Sequence, residues 1–270
     1  MPGDEAELRF AAELRMFLAP GHRGDGRARV TCDETQTLGH VVESLGVPLP
    51  EVGELSIDGE PATTASRLPG GRRTVAEVAA VRRPQPLPAA RFVLDVHLGT
   101  LARRLRLLGI DAAYANDRDD DALIVQANAE GRVLLTQDRG LLRRRALRLG
   151  AYVRGADPDD QLRDVLDRFA PPLAPWTRCT ACNGPLAPAR KADVERMLLP
   201  GTRRTYHHFA RCMACGRVYW RGAHSARLTA IVDRAARVVA ARSATPATPA
   251  TPATPATLAT PAGRPARPGA

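Results

Sequence analysis

Short apolar runs, each closed by a turn signal, set the pattern of the first 83 residues. Segments 7–13 and 29–32 read as strands, Thr37 caps a helix through Leu45 that stops at Gly46, and 54–57 runs into an Asp58-Gly59 turn. Gly70-Gly71 then precedes a last strand over 74–81, so the order strand, strand, helix, strand, strand predicts a small α+β unit. From residue 90 the pattern changes to apolar runs alternating with helical spacing. Phe92-Val93-Leu94 ends in Asp95, and Leu98, Leu101, Leu105 and Leu108 then fall on one helical face up to Gly109. A strand over 111–115 and a helix from Asp119-Asp120-Asp121 to Gly131 follow. Next come a strand over 133–136 ending near Asp138, an Arg-rich helix, a short strand at Tyr152-Val153 and a helix opened by Pro158. Strands alternating with helices predict an α/β domain with a parallel sheet covered on both faces.

Proline marks the joints. Pro84, Pro86 and Pro88 make 84–90 a linker, which leaves 91–170 as the α/β domain. Pro171-Pro172 and Pro175 precede a third unit over 176–228. The segment 243–270 is an Ala-Thr-Pro tail whose prolines block helix, so an extended, disordered tail is expected. No apolar run approaches the ~18 residues of a spanning helix, and the acidic start MPGDEAELRF is not a basic-then-apolar leader. The expectation is a cytoplasmic protein without a membrane partner. Five cysteines in 270 residues are too few for a disulfide scaffold.

The net charge of +10 is unevenly placed: −3 over 1–89, +1 over 90–170, +10 over 171–242 and +2 in the tail. A balanced middle beside a strongly basic neighbour suits a catalytic domain attached to a nucleic-acid clamp, although a solvated arginine surface has the same composition. In the basic segment, Cys179-Thr-Ala-Cys182 and Cys212-Met-Ala-Cys215 are separated by 29 residues, each followed by turn residues. Two such pairs supply four thiolates for a structural, tetrahedral Zn(II). Arg178, Arg211, Arg217, Arg221, Trp220 and His224 surround them and are candidates for RNA contact, whereas Tyr219 and Phe209 suit the core of this small unit. Along the first α/β helix, Arg103, Arg104 and Arg106 read as solvated surface, with an inward-facing one, Arg103 the candidate, able to hold a phosphate. Cys32 reads as a buried small residue.

Ligands of open α/β sheets bind beyond the carboxyl ends of the strands. Asp95 and Asp138 each follow a predicted strand, and Asp120 or Asp121 lies at a helix start on the same side. Converging carboxylates repel unless a cation neutralises them, and an oxygen-only set suits Mg(II) or Mn(II). The same positions suit helix N-caps, and spacing alone leaves both readings open.

The motifs FVLDVHLGTLARRLRLLGID, DDALIVQANAEGRVLLTQD, DPDDQL, RCTACNGPL and RCMACGRVYWRGAH, in that order, resemble the Mut-seven carboxy-terminal RNase-domain family. The resemblance implies a PIN-like nuclease fold with an appended four-cysteine zinc ribbon. The N-terminal unit is similar to the ubiquitin-like β-grasp module that precedes it in that family. Carried over residue by residue, it implies catalytic, metal-holding roles for Asp95, Asp120 or Asp121, and Asp138, with RNA, single-stranded in preference, as substrate. Gln137 departs from the arginine expected before the last aspartate, which removes a phosphate contact but leaves the acids. The β-grasp module is expected to dock a protein partner or the nuclease itself. The competing expectation is a non-catalytic RNA-binding or ribosome-associated adaptor with a degenerate PIN-like core.

Overall fold

The computed structural model describes residues 5–31, 35–69, 73–222 and 225–243. Cys32, Gly70-Gly71, His224 and the Ala-Thr-Pro tail beyond Ser243, all singled out in the sequence, lie outside the described residues.

The N-terminal sheet has the order β2-β1-β5-β3-β4. Its strands are β1 (Glu5–Phe10), β2 (Arg27–Thr31), β3 (Val52–Ile57), β4 (Glu60–Ala62) and β5 (Thr74–Ala80). The first and last strands pair in parallel at its centre, and helix α1 (Leu38–Ser44), capped by Thr37, packs Leu38, Val41 and Val42 into the core. This is the expected β-grasp arrangement with two differences. β1 stops at Phe10 because Ala12–Phe17 forms a 3-10 turn that buries Leu14 and Phe17. β4, only three residues long, pairs with β3 around Asp58 and Gly59, both at positive φ.

Four parallel strands, ordered β7-β6-β8-β9, form the second sheet: β6 (Arg91–Leu94), β7 (Asp111–Tyr114), β8 (Val133–Thr136) and β9 (Gly150–Tyr152). Their period-two alternation sorts two cores. Phe92, Leu94, Val133 and Leu135 face α2 (Gly99–Leu107) and α5 (Pro158–Phe169), while Val93 and Leu134 face α3 (Asp120–Glu130). Helix α4 (Arg139–Leu142) is a single turn, shorter than the Arg-rich sequence suggested. Past Leu142, Arg143, Arg144 and Arg145 are all exposed and provide no apolar stripe to bury.

A small antiparallel sheet, β10 (Leu186–Ala189), β11 (Phe209–Cys212) and β12 (Val218–Trp220), carries the cysteines. The excursion between β10 and β11 folds into α6 (Lys191–Val194), a 3-10 turn and α7 (Pro200–Thr205), with Val194, Leu198 and Phe209 as its core. The pattern reading assigned no element to the stretch after 228, where α8 (Ser225–Ser243) runs. It buries Ile231 and Ala235 against α5 and pairs Arg242 with Asp167 and Arg234 with Asp159. None of the described helices is long and apolar enough to cross a membrane.

The parallel sheet is clasped on both sides. The β-grasp unit covers edge strand β9, where Glu51 Oε1 accepts from Tyr152 N at 2.8 Å and pairs with Arg168 at 2.5 Å, both Glu51 and Arg168 side chains being fully buried. Arg168 also donates to Pro50 O and to Gln85 Oε1 in the linker. Arg139 donates to Met16 O and lies over the Phe17 ring. On the β7 side the cysteine unit is fastened to the amino-terminal edge of the sheet. There Ala174 N and Trp176 N donate to Leu108 O and Leu107 O, and Ala112 N donates to Asn183 Oδ1.

Candidate active site and metal centre

The carboxyl-terminal edge of the parallel sheet gathers two of the sequence-predicted acids around one hydroxyl. Thr136, the fully buried last residue of β8, donates from Oγ1 to Asp95 Oδ2 at 2.6 Å and accepts from the backbone N of Asp138 at 2.9 Å. Asp95 follows β6 and is 7% exposed; its Oδ1 accepts from Val96 N at 2.6 Å. Asp138 caps α4, its Oδ1 accepting from Gly140 N at 2.6 Å and Leu141 N at 3.4 Å, which leaves Oδ2 without a partner among the described residues. Sequence reasoning missed Thr136; a polar β-branched residue closing an otherwise aliphatic strand was the signal.

The loop after Asp95 is held rigidly. Tyr114, at the end of β7, donates to Val96 O at 2.8 Å, and its ring lies so close to Gly99 that a Cβ there would sit 2.6 Å from the hydroxyl. Asp119 caps α3 through Ala122 N, as N-cap logic anticipates. Of the two remaining candidates, the Asp121 carboxylate is ion-paired with Arg144, whereas Asp120 is exposed and pairs with no basic group among the described residues. Asp95 and Asp138 likewise form no salt bridge among the described residues. The side-chain amide of Gln137, where an arginine was expected, donates to Val153 O and Gly155 O and so ties down the loop after β9.

Among the described residues, four cysteines alone form a metal-type cluster, with the ligand atoms of Cys179, Cys182, Cys212 and Cys215 all within 4.8 Å of one another. The acids are not drawn together that tightly. The Cys179–Cys215 and Cys182–Cys212 sulfur separations are 3.7 and 3.4 Å. A tetrahedral zinc–thiolate site with Zn–S near 2.3 Å has edges of ~3.8 Å, so the cluster is the right size for a closed four-sulfur shell. Each knuckle folds back on its own first sulfur: Cys182 N donates to Cys179 Sγ and Cys215 N to Cys212 Sγ. Asn183 and Gly216 close the knuckles at positive φ, 70° and 74°. Burial raises the Cys179 thiol, but hydrogen bonds from Tyr219 and from backbone N–H groups outweigh it and bring the pKa to about 6. Burial and the neighbouring thiols push Cys182 to about 12. Four clustered sulfur ligands form a donor set suited to a soft divalent cation.

The basic candidates separate into joints and free groups. Arg106 is not solvated surface: it is 3% exposed and donates to Ala112 O, Thr180 O and Ala181 O, joining α2 to the first knuckle. Arg104 is tied to Asp159, and Arg178 to Gly109 O, Asn183 O and Asp111. Arg103 and Arg217 are exposed, Arg211 is exposed and donates to Gly216 O, and Arg221 lies over the Trp176 ring at 5.3 Å. Trp220 is 41% exposed. Phe209 is buried as expected; Tyr219 is half-buried, with its hydroxyl 2.9 Å from Cys179 Sγ.

A family model described as the Mut7-C RNAse domain matches residues 90–232, and a second, described as Mut7-C ubiquitin, matches residues 3–80. No curated protein and no solved structure matches the chain.

Proposed function

Because the chain belongs to the Mut7-C RNase-domain family, we propose that it is a metal-dependent ribonuclease. Its acid set is Asp95, Asp138 and Asp120, with Asp121 as the alternative third member. The observation that carries this reading is the Asp95–Thr136–Asp138 junction. In a chain with 39 basic residues, one buried hydroxyl donates to the Asp95 carboxylate and accepts from the Asp138 backbone N–H, and among the described residues neither carboxylate takes an arginine partner. Carboxylates placed at one sheet edge and oriented by neutral donors suit compensation by an external cation. A bound Mg(II) or Mn(II) would neutralise the acids, activate water and stabilise the leaving oxygen of a phosphodiester.

The protein's own contribution is orientation. Thr136 fixes one oxygen of Asp95, the α4 cap fixes one oxygen of Asp138, and Tyr114 immobilises the loop between Asp95 and α2. The four cysteines hold a structural zinc, and the ribbon with its exposed arginines assists RNA binding. Four of the five cysteines are thiolate ligands in this reading, which suits a reducing cytoplasm. The β-grasp unit stabilises the β9 side and offers its remaining surface to a protein partner.

The test is cleavage of labelled single-stranded RNA with Mn(II) or with EDTA, comparing wild type with Asp95→Asn/Asp138→Asn. Asparagine caps helices about as well as aspartate, so the variant keeps its fold and loses only charge. We expect metal-requiring cleavage that falls below detection in the variant. Undiminished cleavage overturns the acid site, and RNA retention without cleavage by wild type favours the adaptor.

A further inference from the structure

Where the ribbon meets the nuclease-like domain, the end of α2, β12 and the start of α8 enclose a cavity of about 640 Å³. That volume lies within the ~300–1,000 Å³ of small-molecule sites. Its walls include Trp176, Tyr206 and Trp220, with Arg221 over the Trp176 face and His207 and His208 exposed at the mouth. Aromatic planes supply stacking surfaces. The Tyr206 hydroxyl, the Trp220 indole N–H and both imidazoles have no hydrogen-bond partner among the described residues, so they are available to a ligand. The surrounding segment 171–242 carries a net charge of +10, which favours an anionic occupant.

We propose that this cavity binds a nucleobase of single-stranded RNA, stacked on the aromatic walls with its phosphate near Arg221. The proposal deepens the ribonuclease reading and rests on it for the identity of the polymer. Position adds a constraint. The cavity lies at Leu107, at the far end of α2 from Asp95, so a nine-residue helix of roughly 14 Å separates it from the acids. At the ~3.4 Å per nucleotide of a stacked strand, that separation corresponds to about four nucleotides, and to fewer in an extended strand. This is an anchoring site, separate from the site of cleavage.

The two tryptophans that line the cavity are the whole complement of the chain, so intrinsic fluorescence reads it directly. The full-length, zinc-loaded protein would be titrated with single-stranded hexauridylate and hexaadenylate without added Mg(II) or Mn(II), following tryptophan emission and the anisotropy of a labelled strand together. We expect saturable change in both signals, with tenfold or greater weakening in Trp220→Ala and Tyr206→Ala, the size of one lost base stack. Trp220→Phe should restore most of the affinity. Zinc content and melting temperature check that each variant is folded, and two independent truncations keep the test decisive if one is not. RNA binding that leaves emission unchanged, affinities within twofold of wild type in both truncations, or no binding at all would overturn the proposal. Loss of cleavage in Asp95→Asn/Asp138→Asn alongside intact RNA binding by Trp220→Ala would leave the nuclease reading standing and remove this one. Intact cleavage in the acid variant with emission that still responds to RNA would do the reverse.

Discussion

The two edges of the parallel sheet use the same residue type in opposite ways. At the amino-terminal edge, Asp111 is saturated: Arg132 at 2.6 Å, Asn183 at 2.8 Å, Arg178 at 3.4 Å and Arg91 at 3.6 Å converge on it. At the carboxyl-terminal edge, Asp95 and Asp138 receive, among the described residues, only neutral donors, namely a threonine hydroxyl and backbone N–H groups. A carboxylate enclosed by guanidinium groups is a joint, here the one that ties the ribbon to β7. A carboxylate oriented by neutral dipoles keeps its charge available to an external cation. With 38 arginines in the chain, their absence from the second site is the more informative feature.

The comparison is broken most severely at the ribbon. Structural zinc contributes about 10–16 kcal/mol of apparent binding energy, and the amino-terminal edge is built against the first knuckle through Arg106, Asn183 and Arg178. Removing the metal, or substituting Cys179→Ser/Cys215→Ser, is expected to unfold the ribbon and expose the β7 edge while the β-grasp core stays folded. Metal analysis should find about one zinc per wild-type chain by four-thiolate stoichiometry and none in the variant. Hydrogen exchange should show protection lost over 106–112 and 176–220. Full zinc occupancy in the double variant would refute the four-sulfur shell.

The next largest effect belongs to the other seam. Glu51→Ala strands the buried Arg168 guanidinium, and removal of one partner of such a pair costs about 3–5 kcal/mol. A urea midpoint lowered accordingly is expected, with much of the loss recovered in Glu51→Leu/Arg168→Met. No change in the Glu51→Ala midpoint would mean that the β-grasp unit contributes no stability to the nuclease domain.

How much of this was readable in advance follows from the range of each interaction. The four parallel strands, the helix starts at Asp119 and Pro158, the Gly131 stop and the two knuckles lie in local pattern, and each sits in the structure within a few residues of its expected place. Asp95 and Asp138 were legible as acids following strands. Local pattern does not separate Asp120 from Asp121 as the candidate third acid, because the contact that distinguishes them comes from Arg144, 23 residues downstream. Arg106 and Arg103 look alike in RRLR; the ribbon that buries one of them arrives some 75 residues later. The Glu51–Arg168 pair spans 117 residues and leaves no local trace. α8 is a different case, since Ile231, Ala235 and Val238 have helical spacing and their signal was overlooked.

Asp111 tests the saturated edge directly. Partial burial works against its charge, but hydrogen bonds from Arg132 and Asn183 and the fields of Arg132 and Arg178 hold its carboxyl below the ordinary 3.8. A depressed folded pKa contributes stability that is fully present above the unfolded value and is lost as the pH falls through the folded one. The contribution therefore holds at neutral pH and disappears as the solution is taken below about 4. Asp111→Asn should cost about 2–3 kcal/mol at pH 7, flatten the acid limb of the stability profile and leave RNA cleavage per folded molecule unchanged. Asp138→Asn should do the opposite, shifting stability by no more than a few tenths of a kcal/mol because asparagine also caps, while abolishing cleavage. If the two substitutions had the same profile, the distinction between joint and site would fail.

The smallest effect resolves the ambiguity within the acid set. The Asp121–Arg144 pair lies on the surface, with the Asp121 side chain 77% exposed, and exposed pairs contribute about 0–1 kcal/mol. Asp121→Asn is therefore expected to be nearly silent in stability, and its carboxylate, already matched by a guanidinium, to be dispensable for cleavage. Asp120, at the start of α3 without a basic partner among the described residues, is the member whose conversion to asparagine should lower the rate. Measured side by side on the same RNA, Asp120→Asn should reproduce the phenotype of Asp138→Asn, and Asp121→Asn should stay close to wild type. The reverse ranking would show that Arg144 releases Asp121 when the site is filled. The rule that separates the two edges, guanidinium pairing as the mark of a structural carboxylate, would then hold only for groups as enclosed as Asp111.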